Sequence, residues 1–342
     1  AYALVGAAGG KGAVYAFRYL LLGSLGATLY LLGVSHLYVA TGTLNMADLA
    51  TRLPELINNT AVAGGLIYIF LGLAIKMALI PLHGWLPDAY QNAPETVSPL
   101  LASTVTKVSL VAWVRIEYSL IMPGVEVSAV PVLVLVEELG VIAAIIGGAL
   151  ALIQTDLKRR FAYGGIGHVG LILVGVSLGN ATGFAGGMFY LVNDAVMQAA
   201  LFMIAGVLAH CHGVRTLDDL REMGRPSPWL TGALVIVAVA MVGLPPTGGF
   251  FGKWNIILGA IEAEHFFAAF SVIASTLLSR GDFVRVVAAW FYLPSASAAE
   301  PPIVSRSLTI SLGTASIAMI ALGIFSDVIF GLLLDFVSGG GV

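Results

Sequence analysis

Apolar residues run along this chain in long blocks separated by short polar stretches. A helix that spans a bilayer needs roughly 20 apolar residues. Ten blocks approach or exceed that length: 17–41, 62–80, 97–121, 131–154, 161–179, 184–209, 229–245, 250–270, 271–293 and 307–333. The ten-residue alternation that marks a transmembrane barrel strand is absent. Backbone in lipid has to satisfy its own hydrogen bonds. The pattern therefore predicts an all-α polytopic membrane protein of about ten transmembrane helices.

The connections, such as 41–60, 154–160, 210–228 and 294–306, are short and polar. Lys11, Arg18, Lys158, Arg159, Arg160, Arg215, Arg221, Arg225 and Arg306 fall on one side if the helices alternate, and the other side has mainly Arg52 and Arg115. Lysine and arginine collect on the cytoplasmic side. The expected location is a bacterial or archaeal plasma membrane, with an organellar inner membrane as the alternative. The opening Ala1-Tyr-Ala-Leu-Val5 resembles the end of an earlier apolar helix, so a chain incomplete at its amino end is expected.

Composition sharpens this picture. Of 342 residues, 58% are hydrophobic and only 10% charged. Mean hydropathy is +0.96. A soluble domain carries about 25% charged residues, so an ordinary soluble protein is excluded. The net charge of −3 gives no basic excess for nucleic acid. Cys211 is the single cysteine, which excludes internal disulfides, cysteine-ligated iron–sulfur clusters and cysteine-rich zinc sites.

Charges inside the apolar blocks are the candidate chemistry. A charge at the centre of a spanning helix costs about 2.5–3.5 kcal/mol on insertion scales, so each is a functional candidate. Lys76, Lys107 and Lys253 lie within such blocks. The bland alternative is a snorkelling side chain. Burial disfavours a charged amine and a nearby carboxylate favours it, so a lysine held between the two suits proton exchange. His168 sits among glycines in an apolar helix, and histidine titrates nearest neutrality. Tyr190, Asp194 and Gln198 are spaced i, i+4, i+8 and make a polar stripe that has to face protein or water. Glu137 and Glu138 lie only roughly 9 Å into their helix, and are either polar supports or interfacial groups. Arg115 and Glu117 are expected to pair at an interface. Arg280, Asp282 and Arg285 either line a channel mouth or mark a surface turn.

Pro81 and Pro87 follow Lys76, and Pro245-Pro246 precede Lys253. Proline removes a helical hydrogen bond, and two Pro/Gly-interrupted segments with buried charges are the pattern of an inverted-repeat transporter. Several motifs fail. Gly165-Ile-Gly167-His-Val-Gly170 matches G-x-G-x-x-G but lies inside an apolar helix with no strand before it. Gly10-Lys11 and Gly252-Lys253 are not P-loops, because Val5 and Thr247 stand where the first glycine belongs. Haem ligation by His36 and His168 is set aside.

Five segments carry a family resemblance: Phe17-Arg-Tyr-Leu-Leu-Leu-Gly-Ser-Leu-Gly26; Lys76-Met-Ala-Leu-Ile-Pro81-Leu-His83-Gly-Trp85-Leu-Pro87-Asp88-Ala; Ala93-Pro-Glu-Thr-Val-Ser-Pro-Leu-Leu-Ala102; Gln154-Thr-Asp-Leu-Lys-Arg-Arg-Phe-Ala-Tyr163; and Gly243-Leu-Pro-Pro-Thr-Gly-Gly-Phe-Phe-Gly-Lys253-Trp. The chain resembles the antiporter-like subunits of proton-pumping NADH:quinone oxidoreductase (complex I), the large subunits of Mrp-type sodium/proton antiporters, and membrane-bound hydrogenase subunits. The resemblance implies an inverted-repeat bundle with two broken helices and a central polar axis. It divides the chain into a first, incomplete half-channel (1–130), a second (131–293), and a linker with a last transmembrane helix (294–342). Carried over by position, the proton relay is Lys76, Lys107, His168, Asp194 and Lys253, with Tyr190, Gln198, Glu137 and Glu138 as polar supports. Pro81, Pro245 and Pro246 mark the broken helices. Two departures stand out. The glutamate partner expected for Lys76 on a preceding helix is absent. Asp194 and Gln198 stand where relatives usually have His and often Lys, so Asp194 is expected to bridge His168 and Lys253.

The function implied is proton translocation, with Na+ coupling as a variant, within a respiratory, hydrogenase or Mrp complex. Its other membrane subunits and the lipid bilayer are the partners. No metal or cofactor site and no nucleic-acid partner are expected in this chain. The alternatives are a stand-alone secondary transporter of a small solute, a scaffold with degenerate charges, and a quinone- or haem-binding redox protein.

Overall fold

The computed structural model describes residues 1–7, 9–121, 131–223, 227–291 and 306–338. Arg225 and most of the 294–306 connection lie outside the described residues. Within them the chain is helical, apart from one isolated bridge between Asp156 and Thr216. In order the elements are α1 (Tyr2–Gly6), α2 (Lys11–Thr41), α3 (Met46–Leu56), α4 (Thr60–Met77), α5 (Leu86–Asn92) and α6 (Val97–Ile116) with a π-helical turn (Glu117–Ile121). Then come α7 (Pro131–Ile153), α8 (Leu157–Ser177), α9 (Ala181–His212), α10 (Leu217–Glu222) and α11 (Pro228–Val242). The last are α12 (Gly248–Glu262), α13 (Phe266–Phe291), α14 (Arg306–Ile324) and α15 (Ser326–Ser338).

Local chemistry sets the ends. Asn45, Asn59, Asp156, Asn180, Thr216 and Ser227 each accept a backbone N–H at a helix start. Gly42, Gly213 and Gly243 close helices in the left-handed conformation. Short polar caps and C-terminal glycines satisfy the orphan groups of helix ends.

Among the described residues, eight helices are long and apolar enough to cross a membrane: α2, α4, α6 with its π turn, α7, α8, α9, α13 and α14. The remaining two of the ten expected spans, 229–245 and 250–270, are α11 and α12, and they form one interrupted crossing rather than two. The indole N–H of Trp290, at the end of α13, donates to Thr231 at the start of α11 (3.0 Å). Near the end of α12, Gly259 accepts from Asn180 (2.7 Å), which caps the start of α9. The start of α11 and the end of α12 thus lie at opposite ends of the bundle. The physical reason is length: fifteen residues rise only about 22 Å, short of a hydrocarbon core about 30 Å thick. α4 and α5 form the other interrupted path, with Ala78 left-handed after α4. Cis peptides occur at Ile80–Pro81 and at Pro245–Pro246, one in each break. The block 307–333, expected as one helix, is divided at Phe325 into α14 and α15.

Glycine holds the helix pairs close. A Cβ on Gly33 would lie 2.5 Å from the Gly65 carbonyl across α2 and α4, and one on Gly170 would lie 2.5 Å from the Gly140 carbonyl across α7 and α8. Small residues let backbones approach where lipid gives no hydrophobic drive for association. Gly167 and Gly170 of the G-x-G-x-x-G stretch are helix-packing residues of this kind.

Candidate functional site

The polar stripe of α9 faces the interior. Tyr190 and Asp194 are fully buried and Gln198 nearly so. α9 is flanked by α6, α8 and α12, and each brings one basic side chain to the stripe. Lys107 of α6 places Nζ 2.6 Å from Asp194 Oδ2, and also donates to the Ala102 carbonyl (3.0 Å). His168 of α8 donates its Nδ1–H to Asp194 Oδ1 at 2.8 Å. A carboxylate only accepts, so this assignment places the proton on Nδ1 and leaves Nε2 as the imidazole's second site. One carboxylate therefore ties a lysine to a histidine across three helices.

Lys253 is held differently. It lies in the second turn of α12, and its Nζ donates to the carbonyls of Met241 (2.9 Å) and Val242 (3.2 Å). These are end carbonyls of α11, unpaired because the helix breaks there. A cation at a helix C-terminus complements both the orphan carbonyls and the dipole. The expectation that Asp194 bridges His168 and Lys253 is thus corrected: its oxygens face Lys107 and His168, and Lys253 is engaged by backbone. The link toward Lys253 passes Tyr190. The Lys253 Nζ lies 5.8 Å from the Tyr190 ring centroid, and that ring meets His168 edge-on at 5.6 Å.

Gln198 borders two small cavities. One is shared with Lys107, Thr106 and Tyr90, the other with His168, Ser279 and Asp282. Each has a volume of about 10 Å³, near the threshold for one water.

Lys76 is apart from this cluster. It lies in the last turn of α4, half-buried, and among the described residues it makes no ion pair or hydrogen bond. The broken end of α4 is capped instead by the Trp85 indole, which donates to the Ile75 carbonyl at 2.7 Å. Pro81 lies within that break, and Pro245 and Pro246 lie between α11 and α12. Glu137 pairs with His265 (2.8 Å) at the end of the bundle opposite the basic loops, and Glu138 is exposed. Neither touches the buried cluster, because one and a half to two turns do not carry a side chain to mid-bundle depth.

Arg115 and Glu117 do not pair. Arg115 faces outward while Glu117 is buried on the π-helical turn. Nor are Lys158, Arg159 and Arg160 a solvated loop run. Lys158 is buried against Glu95 and Ser98, Arg160 is buried against Asp282, and Arg159 binds Asp88 at 2.8 Å. Asp156 could have revealed this, since as an N-cap it starts α8 at Leu157 and turns the basic residues into the first helical turn.

Known proteins share this fold. The family described as NADH:quinone oxidoreductase/Mrp antiporter, transmembrane, matches residues 1–279. The chain is 38% identical to NADH-quinone oxidoreductase subunit N of Desulforudis audaxviator, covering 98% of the chain and 69% of that relative. It is 30% identical to the same-named subunit of Laribacter hongkongensis, covering 94% and 66%. The chain thus spans about two thirds of the length of these relatives. Among solved structures, a chain of the archaeal membrane-bound sulfane sulfur reductase superposes with TM-score 0.89 at 30% identity, over 98% of this chain and 68% of that one. A chain of respiratory complex I from Thermus thermophilus gives 0.79 at 26% identity, over 97% and 71%. The chain belongs to the antiporter-like transmembrane family of NADH:quinone oxidoreductases and Mrp antiporters, and is an integral membrane protein.

Proposed function

We propose that the chain is a proton-translocating subunit of a complex I-type or Mrp-type membrane assembly, working beside other membrane subunits. The proton moves along Lys107, Asp194, His168 and Lys253, with Lys76 as an end member at the first break. One observation carries the reading: a fully buried carboxylate in contact with both a lysine and a histidine. In a low-dielectric interior each of these charges depends strongly on its neighbours. A proton leaving Lys107 alters the field at Asp194 and His168, and so shifts the next transfer. Tyr190 and single waters in the two cavities complete the contacts. The two cavities that border the buried cluster, of about 10 Å³ each, are sized for a single water. Energy would come from redox chemistry or an ion gradient in partner subunits, and Na+ coupling is the variant that the Mrp likeness adds.

The test uses Lys107→Ala and Lys253→Ala in the intact complex, with proton uptake followed in inverted membrane vesicles at varied Na+. Each variant is expected to slow uptake by about a hundredfold, the scale of losing a positioned proton-transfer group. Uptake at the unmodified rate in either overturns the reading.

A further inference from the structure

One buried ion pair lies outside the cluster around Asp194. Arg160 of α8 is 1% exposed and Asp282 of α13 is 4% exposed. The Arg160 Nε–H donates to Asp282 Oδ1, and Nη1 donates to the Gln154 carbonyl at 2.8 Å. Gln154 lies in the half-exposed turn between α7 and α8, at the basic-loop end of the bundle. Arg285 reaches the same end, donating to the Leu152 carbonyl at 3.0 Å. The carboxylate of Asp282 is thus held by a guanidinium that also reaches the turn at the basic-loop end.

Asp282 also borders the second small cavity, with Ser279, Gln198 and His168 on its other walls. A water there would meet a carboxylate, a hydroxyl, an amide and an imidazole, which is the two to four polar partners an ordered water needs. Stability alone is a weak reason for such a pair, because buried ion pairs are often replaced by apolar residues without loss.

We infer that Asp282 is a proton carrier joining the basic-loop surface to His168 through one water. This rests on the relay reading above and adds an inlet to it. A proton from surface water binds the Asp282 carboxylate. The cavity water takes that proton and passes one of its own to His168 Nε2. His168 releases its Nδ1 proton to Asp194 Oδ1. One proton has then moved from the surface to Asp194, Asp282 is ionised again, and the water and the imidazole keep their composition. Arg160 stays charged throughout and positions the carboxylate.

The experiment measures proton uptake per assembled complex in inverted membrane vesicles. Arg160→Met/Asp282→Leu exchanges the pair for apolar residues of similar size, so no buried charge is stranded. Ser279→Val replaces a hydroxyl that lines the cavity with a larger apolar group while keeping Asp282. Lys107→Ala reports on the relay itself. The expected result is a loss of at least about tenfold in the double variant and in Ser279→Val, with Asp282→Glu keeping most of the rate. Unmodified uptake in the assembled double variant, or in Ser279→Val where the double variant does not assemble, overturns the inlet. If Lys107→Ala is slow in that same experiment, the relay stands without it. Unmodified uptake in Lys107→Ala overturns both.

Discussion

Asp194 shows what single residues decide here. It accepts from His168 and faces Lys107, and no solvent reaches it. Removing one partner of a buried ion pair strands the other, at about 3–5 kcal/mol. Asp194→Asn keeps the shape and removes the charge. It is expected to lower thermal stability in detergent by that order and to stop proton uptake in vesicles, whereas Asp194→Glu retains part of both. Full stability in Asp194→Asn would mean that Lys107 is not charged in the folded protein. Much of this site was legible beforehand. The spacing of Tyr190, Asp194 and Gln198 predicted a polar face, and Lys107, His168 and Lys253 were conspicuous among apolar neighbours. That Lys107 and not Lys253 faces Asp194 was not legible, because spacing along one helix says nothing about which neighbouring helix aims a side chain at it. Arg160 and Asp282 were hidden for the same reason, since each pairs across the bundle.

Helices pack through features visible as composition but not as contact. The glycines of α7 and α8 were readable as a rejected nucleotide motif, and their packing role needs the partner helix. Gly170→Ala sets a methyl 2.5 Å from the Gly140 carbonyl and the Ala144 nitrogen, both of them backbone. Rigid neighbours cannot yield, so a loss of about 1–3 kcal/mol is expected. At Gly64 an added Cβ meets nothing within 4 Å. Gly64→Ala is therefore expected to be neutral or slightly stabilising, and detergent melting of the two variants side by side checks the difference. On the basic-loop side, Thr216 and Asp219 form a capping box at α10. Amides of Leu157 and Leu217 donate to the Arg215 and Thr155 carbonyls (2.8 and 3.2 Å), tying this loop to the start of α8. Backbone N–H groups of Arg215 and then Thr216 hold the Asp219 carboxyl below its usual range. A carboxyl depressed by folding stabilises above its unfolded value, and that stability is lost as pH falls through the folded value. Hydrogen-exchange protection at Leu157 and Leu217 is expected to drop as pH falls below the ordinary carboxylate range. In Asp219→Ala the same amides should be poorly protected at every pH.

At the scale of the whole molecule, the scarcity of charge and the apolar blocks gave the all-helical membrane bundle directly. They did not reveal that 229–245 and 250–270 share one crossing, because hydropathy records length and not depth; Pro245-Pro246 was the sign of it. The break puts the Lys253 ammonium on the open end of α11 beside Tyr190, inside the bundle. Whether this makes one wire or two is a question of kinetics. Asp194 holds both Lys107 and His168, and Tyr190 lies between His168 and Lys253, so the contacts run in series. In a series path each broken link stops flow, and breaking a second adds nothing. Two parallel paths behave otherwise: each single variant keeps about half the flux, and only the double variant loses it. Effects of residues acting as a unit are non-additive in this way. Lys107→Ala/Lys253→Ala is therefore expected to take up protons no more slowly than the slower single variant. Near-half rates in both singles and none in the double would show that the two lysines serve separate channels.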